Sequence, residues 1–369
     1  METLIFKIRK RYLLAVLMAL MLIKTGIGMP GNWAAIFPLT QNPFENPFLD
    51  TPNAQYLLWN WLGPFLMWCL GISQNIGIFL FYFAFSLLFS ALFFYTVWRL
   101  LPDAIARVAI VVFFLFPVAH TAYFWVFMDS LTLFLMLAPF ALYHKWGGGG
   151  VFIPLIFGVF LGMQHFEQAF LGVAALNFAT FCHRKKIKLP FSCLFCFLFL
   201  IGILFGKIIL IAIFEYCGIQ ALGRFSVLDF IARLQDFFLN FQWALWSGLG
   251  LGWLVVFNIF KFKNIAFVFL ITLLPLVFLP VVAMDYTRVV AIATFPLLLQ
   301  YVFLNAEFLA SISKKTLRLL FLVWVLMPCV WFYITPRISL LPVNMAYFVS
   351  EVFGVSLLPW EVLSNNLTF

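Results

Sequence analysis

The sequence predicts an all-α, polytopic helical membrane protein, and three observations carry that prediction. Of its 369 residues 65% are hydrophobic, and only 9% are Asp, Glu, Lys or Arg. Apolar stretches of about 18 residues or more, the length that crosses a ~30 Å hydrocarbon core, recur along the chain. Those stretches are continuous instead of alternating in polarity, which points to helices and away from a barrel, because backbone N–H and C=O groups in lipid must be paired inside the protein.

Taken from the N-terminus, "KIRKR" at 7–11 precedes the first apolar run, and the "GIGMPGN" that follows makes a poor cleavage site for a signal peptidase. The run is therefore expected to stay as a first helix. Spans are expected at 12–29, 76–98, 105–122, 129–145, 148–164, 168–182, 190–214, 241–260, 264–283, 288–305 and 318–335, eleven crossings in all. With the N-terminus inside, the inner segments hold Lys7, Arg9, Lys10, Arg11, Arg99, Arg107, Lys145, the basic residues of "HRKKIK", Lys261, Lys263, Lys314, Lys315 and Arg318. That is the distribution the positive-inside rule requires. The net charge of +9 thus reads as an insertion signal and does not call for nucleic acid as a partner.

The stretch "AQYLLWNWLGPFLMWCLG" (54–71) is apolar enough to be one more span, yet counting it would invert every later loop and put "HRKKIK" outside. Its Pro64, glycines and tryptophans suit a helix lying at the outer interface. Residues 151–182 must cross twice with too few residues for two full spans, so "MQHFEQ" (163–168) is expected in a dip, with His165 and Glu167 at membrane depth. "GGGG" at 147–150 is a turn without the Lys-Ser/Thr of a phosphate loop. The six cysteines, including "CLFC" at 193–196, read as small buried hydrophobes. Everything to residue 336 forms one membrane domain, and 337–369 an extracytoplasmic tail.

The acids gather at the other face. Glu45, Asp50, Asp129, Glu167, Glu215, Asp229, Asp236, Asp285, Glu351 and Glu361 map outside, an excess that insertion does not explain. Asp50, in "NPFENPFLDTPNAQY", is either a turn residue or a general base towards a hydroxyl approaching at the lipid surface. Asp129 opens an inward-running helix, where a carboxylate caps and meets the positive end of the macrodipole. His120 lies on the same outer turn, either satisfied at the interface or approaching Asp129. His165 and Glu167 form "HxE", without the i, i+4 spacing of a zinc protease. A divalent ion shared among Asp50, Asp129, His165, Glu167 and Asp285 is conceivable but not indicated by spacing.

"AMDYTRVV" (283–290) places Arg288 in the first turn of a helix, where a cation is disfavoured by ~0.3–1 kcal/mol. Something anionic should compensate: Asp285 three residues away, or a phosphate gripped by the guanidinium, with Tyr286 as a neighbour that stacks or donates. Lys207 lies well inside a span and should face a cavity or a partner. Arg224, with Asp229, Arg233 and Asp236, reads as a solvated charged face able to add to a phosphate site.

This assembly resembles membrane glycosyltransferases of the C-type fold (GT-C): a first outer loop ending in "FLD", an interfacial helix, "MDSL" opening a later helix, "HFEQ" in a short re-entrant pair, and an outer Arg288. The resemblance covers the layout of about residues 1–300. It implies an inner-membrane enzyme that moves a sugar from a polyprenyl-phosphate donor to a glycan, lipid or protein acceptor on the extracytoplasmic face. It also implies Asp50 as base, with Glu45 as substitute, and the remaining acids and bases holding donor phosphate or metal. A polymerase of lipid-linked repeat units and a lipid or solute transporter are the rival readings. The first wants several outer arginines acting together. The second would line a path with Lys207, Glu167 and Asp285, although the polar groups collect at one face and no inverted repeat is visible.

Overall fold

The computed structural model describes residues 8–27, 36–124, 126–143, 147–183, 190–221, 230–278, 283, 285–327, 329–333 and 335–339. In chain order the elements are α1 (Lys10–Thr25), α2 (Phe37–Gln41), α3 (Leu62–Cys69), α4 (Asn75–Leu100), α5 (Asp103–Phe114), α6 (Val118–Phe124), α7 (Met128–Tyr143), α8 (Ile153–Gln164) and α9 (Phe166–His183). They continue with α10 (Cys193–Cys217), α11 (Phe230–Leu239), α12 (Phe241–Leu249), α13 (Gly252–Val256), α14 (Lys263–Phe278), α15 (Tyr286–Leu298), α16 (Ala306–Ala310) and α17 (Lys314–Leu326), and close with β1 (Cys329–Tyr333) and β2 (Thr335–Ser339).

The fold is helical and compatible with an integral membrane protein, but the count of eleven crossings is not met. Among the described residues three helices, Asn75–Leu100, Cys193–Cys217 and Tyr286–Phe303, are long and apolar enough to cross a membrane, or up to 5 spans if each of two bent pairs counts as one. The reasons lie in the sequence. Pro117 separates α5 from α6, which meet at 54°, and Gly250, with φ +56°, separates α12 from the Gly252–Lys261 segment, at 69°. Met128–Tyr143, Gly150–Gln164 and Lys263–Phe278 are apolar but shorter. The last expected span, 318–335, is helical only to Leu326; Cys329–Tyr333 then pairs antiparallel with Thr335–Ser339. The boundary drawn at 336/337 therefore falls inside a strand, and residues 340–369 lie outside the described residues.

Residues 54–71 do not build a span-length helix: a 3-10 segment, Pro52–Asn60, leads into α3, which ends at Cys69 and is followed by the left-handed Gly71. At "MQHFEQ" the two helices are separated by a single-residue break. α8 has 12 residues, about 18 Å at 1.5 Å each, and only buried His165 separates it from α9. The cysteines are all unpaired; Cys196 is buried, Cys69 is exposed and the rest are intermediate, so burial holds for one of them only.

The bundle is organised around α15 and its π-helical continuation Leu299–Phe303: 89% of that span is buried, against 39% for α4 and α10. α9 packs on it so closely that a β-carbon on Gly172 would lie 2.5 Å from the Ala293 carbonyl oxygen. α10, of 25 residues, is one of the less buried long helices. Ser192 caps its start by accepting from the Phe195 amide, and left-handed Gly218 ends it. It crosses α8 through two small-residue motifs, "GVFLG" (158–162) and "GILFG" (202–206), whose backbones meet with no room for side chains.

Basic and acidic groups tie the opposite end together. Asp103 receives Lys10 and Arg107, each at 2.9 Å, and Arg107 also donates to the Ile8 carbonyl at 2.8 Å. Buried His183, ending α9, has its ring nitrogens 3.0 Å from the Tyr301 hydroxyl and 3.1 Å from the Asn264 carbonyl.

Candidate functional site

The other end of the bundle gathers the N-termini of α7, α9 and α15 and the C-terminus of α8. Arg288 Nε lies 2.5 Å from Asp129 Oδ2, and its Nη1 lies 3.2 Å from Asp285 Oδ2. The Asp129 side chain is 2% exposed, those of Asp285 and Arg288 16% and 19%. Two carboxylates thus offset the penalty of a guanidinium at the positive end of α15, while Asp129 itself benefits from the first turn of α7. Asp285 occupies the cap position of α15 but makes no capping bond with its side chain. The local Asp285–Arg288 pair was expected from spacing; the pairing with Asp129, far away in sequence, was not.

Gln164 connects this cluster to the neighbouring elements. Its Oε1 accepts from the Gly63 amide at 2.8 Å, and its Nε2 donates to the Met128 carbonyl at 3.3 Å, one residue before Asp129. Gln164 and His165 are both buried. Gly63 has no room for a side chain, because a β-carbon there would meet the Tyr82 hydroxyl. The first loop is consequently pinned over the α8–α9 break.

One turn further on, Lys207 projects from α10 beside Gly206. Its ammonium lies 3.9 Å from Glu167 Oε1, 3.5 Å from the Trp59 ring centre and 5.3 Å from that of Phe166. An ammonium over indole is held by the ring quadrupole, more strongly where water is excluded. Lys207 therefore has the partners its depth demanded. Trp59 also packs on Phe214 at 5.3 Å, and Asn46 donates to the Gln220 carbonyl at 2.6 Å. The loop containing Glu45 and Asp50 so rests on the end of α10.

Some expected members stand elsewhere. His120 does not join Asp129: its Nε2 lies 2.9 Å from the Phe114 carbonyl and 3.2 Å from Trp324 Nε1, beside a cavity of about 50 Å³ lined also by Lys24 and Cys329. Tyr286 is fully buried and donates to the Val277 carbonyl at 2.9 Å, so it supports α15 instead of meeting a ligand. Asp50 and Glu45 are exposed, and no ion pair reaches either among the described residues; Glu45 lines an open cleft of about 470 Å³ with Asn46 and Gly218. Arg224 lies outside the described residues. Among the described residues no three His, Cys, Asp or Glu side chains converge to hold a metal ion.

No family model, curated protein or solved structure matches this chain. The site must therefore be read from its own chemistry. Trp59, Gln164 and the paired glycines were missed in the sequence; the G-x-x-x-G spacing was the available signal for the last of these.

Proposed function

We propose that the chain is a membrane glycosyltransferase of the C-type architecture, with its N-terminus in the cytoplasm and its polar end facing the extracytoplasmic side. It transfers a sugar from a polyprenyl-phosphate donor to a glycan, lipid or protein acceptor. The observation that carries the reading is the gathering of Arg288, Asp129 and Asp285 with Lys207 and Glu167 at one end of an apolar bundle, under a loop bearing exposed carboxylates. Cations at a lipid-facing boundary suit an anionic headgroup, and partly buried ones act at higher strength than in water.

In this reading the acceptor hydroxyl oxygen attacks the anomeric carbon, and the bond from that carbon to the phosphate oxygen breaks. The hydroxyl proton passes to Asp50, and polyprenyl phosphate leaves, its charge stabilised by Arg288 and Lys207. Asp50 suits the base because its residue is exposed on the loop, where an acceptor hydroxyl can reach it.

The test is transfer of labelled sugar by purified protein in lipid nanodiscs supplied with polyprenyl-phosphate sugars. Asp50→Ala should abolish transfer while donor still binds, and Arg288→Lys should weaken donor binding. Unchanged turnover in both variants would remove the site assignment, and no transfer from any polyprenyl-linked donor would remove the activity. Cysteine labelling that reached position 50 or 285 from the cytoplasmic side alone would reverse the orientation.

A further inference from the structure

We infer that Asp285 is a resident competitor, occupying on Arg288 the seat that an incoming phosphate takes, and that it must swing away for the anion to bind. The inference rests on the anionic-donor reading above and concerns how that same site is kept exchangeable.

The two carboxylates on Arg288 differ in kind. Asp129 is buried within α7, close to the Gln164 contact on the Met128 carbonyl, and meets Nε at 2.5 Å. Asp285 lies one residue outside α15, with φ −106° and ψ 71°, and meets Nη1 at 3.2 Å, longer than the ~2.7–2.9 Å of a strong charge-assisted bond. It is also the more exposed of the two. The inner, buried carboxylate is therefore the fixed member of the ion-pair cluster, and the outer one is the contact that can be exchanged.

Electrostatics gives the exchange its purpose. One guanidinium between two carboxylates leaves the cluster at −1, so a phosphate arriving beside both acids would be repelled. Once Asp285 turns outward, Arg288 offers its outer N–H edge to phosphate oxygens, the geometry guanidinium favours. When the phosphate leaves, Asp285 returns and keeps Arg288 from standing uncompensated at the positive end of α15. Such a device weakens phosphate binding and favours release of the product carrier.

The test measures binding, not turnover. Full-length protein in nanodiscs is titrated with polyprenyl phosphate, with inorganic phosphate, and with uncharged polyprenol. Asp285→Asn is expected to tighten polyprenyl phosphate roughly tenfold, a shift within the range of coupling between competing sites, and to leave polyprenol unchanged. Adding Arg288→Lys to that variant should remove the gain. If inorganic phosphate tightens in parallel and competes, the headgroup alone is recognised; if only the lipid-linked form tightens, the chain contributes as well. Unchanged or weaker polyprenyl-phosphate binding in a folded Asp285→Asn protein, checked by its thermal unfolding, overturns the inference. Tightened binding without any sugar transfer would keep the exchange and sink only the transferase reading.

Discussion

Gly162 and Gly206 meet backbone to backbone: a β-carbon built on Gly162 would stand 3.0 Å from the Gly206 α-carbon, and one built on Gly206 would collide with the Val159 carbonyl oxygen. This contact sets the register of α10 on α8 and so fixes where Lys207, the next residue, emerges. Gly206→Leu is therefore expected to cost about 1–3 kcal/mol or more through forced separation of the helices, read as a lowered unfolding temperature in detergent. Phe205→Leu, on an exposed face of the same turn, should stay within about 0.5 kcal/mol. Equal stability of the two variants would mean that the glycines do not set the crossing.

Asp129 and Asp285 should differ sharply in stability cost although both touch Arg288. Asp129→Asn leaves a partly buried guanidinium without its inner partner and should destabilise by ~3–5 kcal/mol, the scale for breaking a buried pair. Asp285→Asn should cost less, ~1 kcal/mol, because this pair is longer and the carboxylate less buried than Asp129. Denaturant unfolding of the two single variants decides this, and a larger loss for Asp285→Asn would reverse the roles given to the two acids.

Lys207, Glu167 and Trp59 should show pairwise coupling. At 3.9 Å and partly exposed, the Lys207–Glu167 pair should couple by no more than ~1 kcal/mol. The Lys207–Trp59 contact, at 3.5 Å from the ring centre, should couple by ~0.5–2 kcal/mol. Double-mutant cycles with Lys207→Met, Glu167→Gln and Trp59→Leu measure both. Zero coupling to Trp59 would detach the first loop from the floor of the site.

How much of this was legible in the sequence follows from the range of the interactions. The apolar runs located α4, α10 and α15 within a few residues, because burial and span length are written locally. Bends were not legible where a single Pro117 or Gly250 redirects a run whose hydropathy stays continuous. Asp285–Arg288 was readable from an i, i+3 spacing. Asp129–Arg288 and Gln164–Gly63 were not, since they depend on which helix ends the tertiary packing brings together. Of the two readings of His120 the satisfied histidine fits and the approach to Asp129 does not: α6 turns by 54° from α5, and the ring faces Trp324 on α17. The strand at Cys329–Tyr333 was hidden inside an apolar run that reads equally well as the end of a helix.

That strand yields a final prediction. Phe332 stands opposite Pro336, which has no N–H to give to the ladder, and the Phe332 amide donates sideways to Thr287 Oγ1 at 2.8 Å. Thr287 is fully buried and immediately precedes Arg288, so this bond, beside the ring contact of Phe332 with Tyr286, helps dock the hairpin on the helix end that bears the site. Thr287→Val keeps the side chain's shape but removes the acceptor, leaving a buried amide unsatisfied at a cost of ~1–3 kcal/mol. Thr287→Ser keeps the acceptor and should lose less. Hydrogen exchange checks the mechanism directly: protection at the Phe332 amide should fall in Thr287→Val and persist in Thr287→Ser. If both variants exchange at the native rate, the hairpin is held by the stacking of Trp331 on Phe124, at 4.0 Å, and Thr287 does not govern its position beside Arg288.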